Sequence, residues 1–393
     1  MRAQPRSLPL YDPGSGVPGA HTPPGRGPQP SHGGPDPDRV VGVGRDRAAD
    51  RAAAAALEGA ADPRLLVVFA STDLAATGAA VAAVAPAGVP VVGCAARGRD
   101  EVVVAALGGA GFSVSTAAAS ATHGSREAGA EAAACLGDVA DRPYQALMLF
   151  VTGADGDPQH VVRGAYSVAG AGVPLVGGGG DPLSSGDAVL LHGGEATSSG
   201  VVAAAIGSDV PFGVGVRHGR RRGGDPLLVT RAEGPRVLEL DGRTALEAYR
   251  ERLPGAPADR DALIEAARAH PLGLTRRAGE EQVRTIVDVD FGDGSVLFLG
   301  EVPEGGLAWV MEGGDDVAAA EAACAEALAP LGGAAPRGLL VFESVLRAGV
   351  PDDVIARYAG GAPVARGGTV GQVARMRGLV GFHNQAFAAL AIA

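Results

Sequence analysis

The chain has 393 residues and 46% hydrophobic content, more than one domain usually holds, so two domains are the natural reading. A net charge of -11 and a pI near 5.2 argue against general nucleic-acid binding, which needs cations to replace phosphate counterions. All 33 basic residues are arginine, which excludes a lysine Schiff base and a P-loop lysine, and the widely spaced Cys94, Cys135 and Cys324 fit neither a disulfide framework nor a CxxC metal site.

Residues 1–38 are rich in proline and glycine and carry no apolar run like a signal-peptide core, so a disordered tail is expected there. A short strand at 39–44 follows, with Asp46 placed to cap an alanine-rich helix to Gly59. Residues 65–70 are continuously apolar and read as a buried strand. After a helix to about residue 85, Gly88, Val89 and Pro90 lead into a strand at 91–94. The same sequence of helix, strand, helix, Gly-x-Pro and strand recurs twice. The second copy runs from the helix at 125–140 through the strand at 146–151 to Gly172, Val173 and Pro174; the third runs from 316–329 through 339–342 to Gly361, Ala362 and Pro363.

Between the copies the pattern turns to strand after strand. Residues 101–107 and 112–119 flank four small residues and predict a hairpin, as do 188–191 and 200–206 around Gly193 and Gly194. The middle of the chain, about 217–314, has no fourth copy. It predicts strands at 227–231 and 237–240, a helix at 244–253, a loop-rich stretch with Pro254 and Pro257, and three antiparallel strands at 283–290, 295–299 and 307–311. Residues 381–393 close the chain in an apolar strand. The expected fold is α/β, with mixed sheets, helix crossovers and antiparallel hairpins, in two domains built on a repeated helix-strand-helix-strand unit.

Several separated stretches carry a resemblance. They are residues 91–94 ending in Gly93 and Cys94; the glycines from 176 to Asp181; His218 and Gly219 with Gly224, Pro226 and Thr230; Leu240, Asp241 and Gly242 with Ala245 and Tyr249; residues 340–342 with Arg347; and 381–385 with Phe382, His383, Asn384 and Gln385. In their order and spacing the chain resembles the FIST domain family over roughly 39–393, which implies a FIST N-like domain at 39–230 and a FIST C-like domain at 231–393. The resemblance implies a non-catalytic sensory module of signal transduction that binds small ligands such as amino acids. Some members of the family bind haem and respond to nitric oxide, so haem is the alternative ligand, with His218 as the axial candidate; otherwise no cofactor is expected. Where the family usually carries Gly-Glu this chain has Gly98 and Arg99, and in the C-terminal counterpart Gly371 and Gln372. Two carboxylates lost and an arginine gained favour an anion over an ammonium group.

The candidate ligand-binding residues are therefore Cys94, Arg97 and Arg99 after the first Gly-x-Pro strand, Gly178, Gly179 and Asp181 after the second, and Arg366 and Gln372 after the third. His218, Arg347, His383 and Asn384 complete the set. Each has a plainer reading. Glycine runs also serve close packing, a lone histidine is more often a hydrogen-bonded structural residue than a ligand, and Asn384 can bond its own backbone in a turn. The histidines show no HxH or HExxH spacing, so no metal site is expected, and there is no Gly-x-Ser-x-Gly elbow. Glu343, Ser344 and Arg347 offer a hydrolase or transferase as the weaker reading. The function expected is that of a cytoplasmic sensor binding a small polar or anionic, amino-acid-like metabolite. Its output would pass to a separate signalling protein such as a kinase or cyclase, with no nucleic acid and no membrane insertion.

Overall fold

The three Gly-x-Pro steps do the same work. The carbonyls of Pro90, Pro174 and Pro363 accept the N–H groups of Leu66, Leu147 and Leu339 at 2.9, 3.0 and 3.0 Å, opening three parallel strand pairs. Proline suits this place because the ladder uses only its carbonyl. The protein is described here by a computed structural model over residues 39–71, 73–97, 101–152, 157–180, 189–275, 281–347, 349–375 and 381–393. The N-terminal stretch to residue 38, Arg99 and Asp181 lie outside the described residues.

The first copy comprises β1 (Val41–Asp46), α1 (Ala49–Glu58), β2 (Pro63–Ala70), α2 (Leu74–Val84), β3 (Val91–Ala95) and β4 (Val102–Gly108). The second has β5 (Ser113–Ala119), α3 (Ser125–Ala133), β6 (Tyr144–Val151), α4 (Pro158–Ala169) and β7 (Leu175–Gly179), then a hairpin of β8 (Leu190–His192) and β9 (Glu195–Thr197), and finally β10 (Val201–Ser208). The third opens with β11 (Phe212–Arg217) and is interrupted by an inserted body. That body holds β12 (Arg221–Glu233), β13 (Arg236–Leu240), β14 (Arg243–Thr244), α5 (Ala245–Arg252), α6 (Arg260–Ala269), β15 (Leu272–Leu274), β16 (Gln282–Arg284), β17 (Ile286–Val289), β18 (Val296–Phe298) and β19 (Leu307–Glu312). The third copy then resumes with α7 (Asp316–Leu328), β20 (Gly338–Ser344), α8 (Asp352–Ala359), β21 (Val364–Thr369), β22 (Gln372–Arg375), β23 (Phe382–His383) and β24 (Phe387–Ile392).

The copies share one strand order: β1-β4-β2-β3, β5-β10-β6-β7 and β11-β24-β20-β21. The last strand of each copy slides antiparallel between its first two, while the pair joined by a helix runs parallel. Two copies lend a strand pair to a neighbour. The β8–β9 hairpin of the second copy extends the first sheet at β3, and β22–β23 of the third extends the second sheet at β7.

This arrangement explains the composition. In β1, a Cβ on Gly42 or Gly44 would lie 2.0 Å from Ala56 O or 1.9 Å from Ala52 O of α1; in β11, Gly213 and Gly215 meet Ala327 O and Ala323 O of α7 at 1.8 and 2.0 Å. Helices whose buried face is alanine thus lie directly on glycine strands, and packing density comes from backbone contact rather than large side chains. At the centre the rule reverses. Phe69, Phe150 and Phe342, one per copy, sit opposite Cys94, Gly178 and Gly367 on the parallel partner strands. Their rings meet pairwise, with centroids 6.5, 5.4 and 6.2 Å apart, the two pairs of Phe69 edge to face and Phe150–Phe342 tilted at 55°.

The mixed α/β fold with repeated units agrees with the sequence, but several local expectations do not hold. Residues 101–107 and 112–119 form no hairpin: β4 pairs with β1 and β2, and β5 joins a different sheet against β10. The intervening glycines carry the chain from one copy to the next. The second hairpin is β8–β9, closing at Gly193 and Gly194 with φ of 62° and 90°, the conformation a two-residue turn requires, while residues 200–206, expected as its second strand, belong to β10 and pair with β5 and β6. Asp46 does not form the N-cap of α1, which is Ala48; its carboxylate accepts from Ala48 N and pairs with Arg51. The loop-rich stretch after Pro257 contains α6, capped by Asp259 accepting from Ala262 N at 2.9 Å. Of the three antiparallel strands expected in the middle, β17 and β18 pair, whereas β19 pairs with β12 and β15. The expected division between residues 230 and 231 falls inside β12.

The inserted body has its own apolar core, with Val229, Leu240, Tyr249, Leu263 and Phe298 among its members. No described helix is long and apolar enough to cross a membrane.

Gly367→Ala tests the centre directly, because its Cβ would fall 2.2 Å from Phe69 Cδ1, on a ring already held by two others. Urea unfolding should show a loss of about 1–3 kcal/mol from overpacking, against about 3–5 kcal/mol for Phe342→Ala. A Gly367→Ala protein as stable as the parent would show that the rings are not a fixed centre.

Candidate functional site

Where β20 leaves the central ring cluster, Phe342 points inward and the next residue, Glu343, faces the other way. Glu343 is 5% exposed, and its carboxylate accepts from the Arg366 guanidinium and from Val350 N at 3.1 Å. Arg366, from β21, also donates to Val350 O at 2.6 Å and to Asp352 Oδ1 at 3.0 Å at the start of α8. This pair ties the loop before α8 to the ends of two strands. Beside it lies a cavity of about 460 Å³, whose other walls include Arg45, Phe69, Arg97, Glu101 and Val103 from the first copy. Its size and its mixture of apolar wall and converging charges suit a small polar ligand. Burial pushes the Glu343 carboxyl above its ordinary range, and the attraction of Arg366 offsets this only in part.

Three of the sequence candidates meet here: Arg97, Arg347 and Arg366. Arg97 N donates to Gly368 O at 2.9 Å, holding the first copy against β21. Arg347 has a different task. Its side chain is fully buried and its guanidinium donates to His218 O, Gln385 O and Asp316 O at 2.9, 3.1 and 2.9 Å, with an ion pair to Asp316 Oδ1 at 3.0 Å. Those contacts clamp both roots of the inserted body.

The other candidates stand elsewhere. Cys94 is buried in the middle of the first sheet, between Phe69 of β2 and Leu190 of β8. Gly178 and Gly179 lie within β7: a Cβ on Gly178 would strike Thr369 at 2.7 Å, and Gly179 N is bonded to Gly371 O at 3.0 Å. Close packing explains these glycines. Gln372 is fully buried, donating to Thr369 O and Oγ1 and accepting from Ala386 N at 3.0 Å, so it braces the chain around β22. His383 donates from Nε2 to Ala374 O at 2.9 Å. Asn384 Oδ1 accepts not from its own turn but from Thr285 N of the inserted body, 2.9 Å away. With Gln385 Nε2 on Arg268 O and Gln282 Nε2 on Phe382 O, the polar run at 382–385 is a seam joining the inserted body to the repeats.

His218 does not fit an axial haem ligand. Its ring is 4% exposed, Nδ1 accepts from Arg220 N at 2.9 Å, and it is not among the residues lining the cavity. The arginines near it are engaged locally, Arg217 with Glu326 and Arg222 with Glu281, the latter stacked over Trp309. Asp157, His160 and Glu301 come within 4.8 Å of one another, the spacing of loose metal ligands. However, Asp157 accepts the N–H groups of Gln159 and Glu301, and Arg163 already sits on Glu301 at 3.0 Å, so capping and ion pairing account for the group.

Sequence reading missed Arg45 and Asp352 and gave Glu343 only a catalytic role. The strand-by-strand alignment of the copies would have found the last. Arg366 stands where the other copies have Gly93 and Gly177, and Glu343 stands where they have Ala70 and Val151.

The raised carboxyl sets a pH dependence. A group with a raised folded-state pKa contributes stability that is present below the unfolded value and lost as pH rises through the folded one. Relative to Glu343→Gln, the parent should therefore lose stability as pH climbs from the ordinary carboxylate value of 4.5, then level off. Thermal melts of both proteins across pH 4 to 8, about one unit apart, check this; a stability difference that grows with pH would reverse the assignment.

The N-terminal part of the chain, residues 64–243, matches the family model of the FIST N domain, and residues 245–370 match that of the FIST C domain. No curated protein matches. Among solved structures the chain is similar to one described as a cyanuric acid hydrolase that evolved by structural concatenation. That similarity has 11% identity, covers 90% of this chain and 99% of the other, and has a TM-score of 0.34, too slight to carry an argument. The two domain matches lie end to end and together span most of the described chain: the protein belongs to the FIST family of sensory domains.

Proposed function

We propose that the protein is a non-catalytic cytoplasmic sensor that binds a small polar or anionic, amino-acid-like metabolite in the cavity between its first and third copies. Its response passes to a separate signalling partner such as a kinase or cyclase. One observation carries this reading: at equivalent positions of the three copies, Ala70 with Gly93 and Val151 with Gly177 are uncharged while Glu343 with Arg366 is a charged pair, and Arg97 and Asp352 line the same cavity. A repeat that needed only to fold would keep the glycine and the aliphatic residue of its siblings, because a buried ion pair is a weak source of stability.

The chemistry of the site favours a ligand with opposite charges. Arginine forks recognise carboxylates in a fixed plane, and Glu343 and Glu101 supply acceptors for an ammonium group. Ser344 does not contribute a nucleophile in this reading; its Oγ accepts from Leu346 N at 3.3 Å as a turn brace.

Thermal-shift titration against a library of amino acids and small carboxylates is the test. At least one member should raise the melting temperature of the parent, and Arg366→Gly, which restores the glycine of the sibling copies, should weaken that response at least tenfold, about 1.4 kcal/mol. The proposal fails if neither a library member nor a short peptide stabilises the protein, or if Arg366→Gly and Arg97→Ala both respond as the parent does while keeping its circular dichroism.

A further inference from the structure

The outer edge of the third strand is finished in two copies and left open in the third. In the first, Val91, Gly93 and Ala95 turn their backbone groups away from β2 and toward β8: Gly193 N donates to Val91 O at 2.8 Å and Ala95 N to Val189 O at 2.9 Å, with Gly93 opposite Leu191. In the second, Gly177 faces Val373 of β22, and Gly179 N donates to Gly371 O. By the alternation of an antiparallel ladder, Gly93 with Leu191 and Gly177 with Val373 are pairs that exchange two hydrogen bonds.

The equivalent residue of the third copy is Arg366. Leu339 N bonds to Pro363 O and Val345 N to Thr369 O, so the odd-numbered residues of β21 serve β20 while Val364, Arg366 and Gly368 face outward. β21 ends its sheet. Its outermost carbonyls are taken, Val364 O by the Arg45 guanidinium at 2.9 Å and Gly368 O by Arg97 N at 2.9 Å. Between them the N–H and C=O of Arg366 meet no partner among the described residues. The cause is the length of one connection. Residues 180–200 link β7 to β10 and 370–386 link β21 to β24, each long enough to add strands, whereas only 96–101 link β3 to β4. The cavity is lined by Arg366, Gly367 and Gly368 of this edge.

We propose that this edge is a strand-addition site for a short peptide-like ligand of two or three residues, whose main chain pairs with Arg366 as Leu191 pairs with Gly93 and Val373 with Gly177. The proposal deepens the sensor reading and rests on it. An unpaired strand edge is a template for exactly such backbone pairing, with side-chain pockets adding selectivity. The open stretch from Val364 to Gly368 spans about 13 Å at a strand's rise, which limits the ligand to a few residues. In the antiparallel sense of both precedents, the ligand's carboxyl end comes to Val364, where Arg45 reaches. Its amino end comes to Gly368, beside the connection that carries Arg97 and Glu101.

The test compares free amino acids, mixed dipeptides and mixed tripeptides in thermal-shift titrations of the full chain. Each stabilising peptide is then compared with its analogue N-methylated at the amide facing Arg366, and exchange of the Arg366 amide is followed by hydrogen–deuterium NMR. Expected are stabilisation by di- or tripeptides beyond that of free amino acids, at least tenfold weaker binding after N-methylation, and at least tenfold slower exchange at Arg366 in the bound state. If free amino acids or carboxylates stabilise while peptides do not, or N-methylated peptides bind equally well, strand addition is overturned and the sensor reading stands. If no compound of either library stabilises the protein, both fall.

Discussion

Three phenylalanine rings meeting pairwise at the centre fix the rest of the molecule. Each comes from the end of the middle strand of one copy, so the contact sets how far every sheet can advance toward the others. The residues opposite them on the parallel strands, Cys94, Gly178 and Gly367, are small. Gly367 is the tightest of these, since its missing side chain is the space that Phe69 fills. The outer layer obeys the opposite rule, alanine faces on glycine strands, because there the helix backbone itself comes into contact with the sheet.

With the strand ends fixed around one centre, each copy has a connection to spare where it meets its neighbour. Two of those connections are long and become the β8–β9 hairpin and the β22–β23 pair; the third is short and leaves β21 at an edge. The cavity is thus a consequence of chain length at one joint rather than a pocket carved into a finished fold. The charged side chains gather at the same joint. Arg366 and Glu343 occupy positions where the other copies need small or aliphatic residues beneath a covering strand, and Arg45 and Arg97 bond the edge carbonyls that such a strand would have taken.

The repeat itself was legible because Gly-x-Pro has a local cause: the proline carbonyl opens a parallel ladder while its missing N–H is not needed. Periodicity also located most strands. It could not say which strands pair, and the glycines between β4 and β5 carry the same turn signal whether the chain folds back or crosses to another sheet. The site divided along the same line. Arg97 and Arg366 were visible as departures between copies, a comparison internal to the sequence. The polar run at 382–385 looked like a ligand wall because its partners, Thr285, Gln282 and Arg268, lie about a hundred residues away in a body whose docking face no local pattern reveals.

Arg347 joins these levels. It lies three residues beyond the end of β20 at Ser344 and lines the cavity. Its guanidinium, however, bonds carbonyls at His218, before the inserted body, and Asp316, after it, together with Gln385 of the seam. A fully buried guanidinium satisfied by backbone acceptors has few alternative geometries, and displacing it would leave its charge without compensation. The turn that forms the cavity wall and the two roots of the inserted body are therefore tied together by one hydrogen-bonded side chain. The inserted body has its own apolar core, and among its contacts with the repeats are amides, Gln159 with Gln282 and Asn384 with Thr285 N. Polar seams depend on geometry more steeply than apolar ones, since each buried amide must keep its partner. The cavity wall and the contacts that hold both roots of the inserted body thus share one side chain, Arg347.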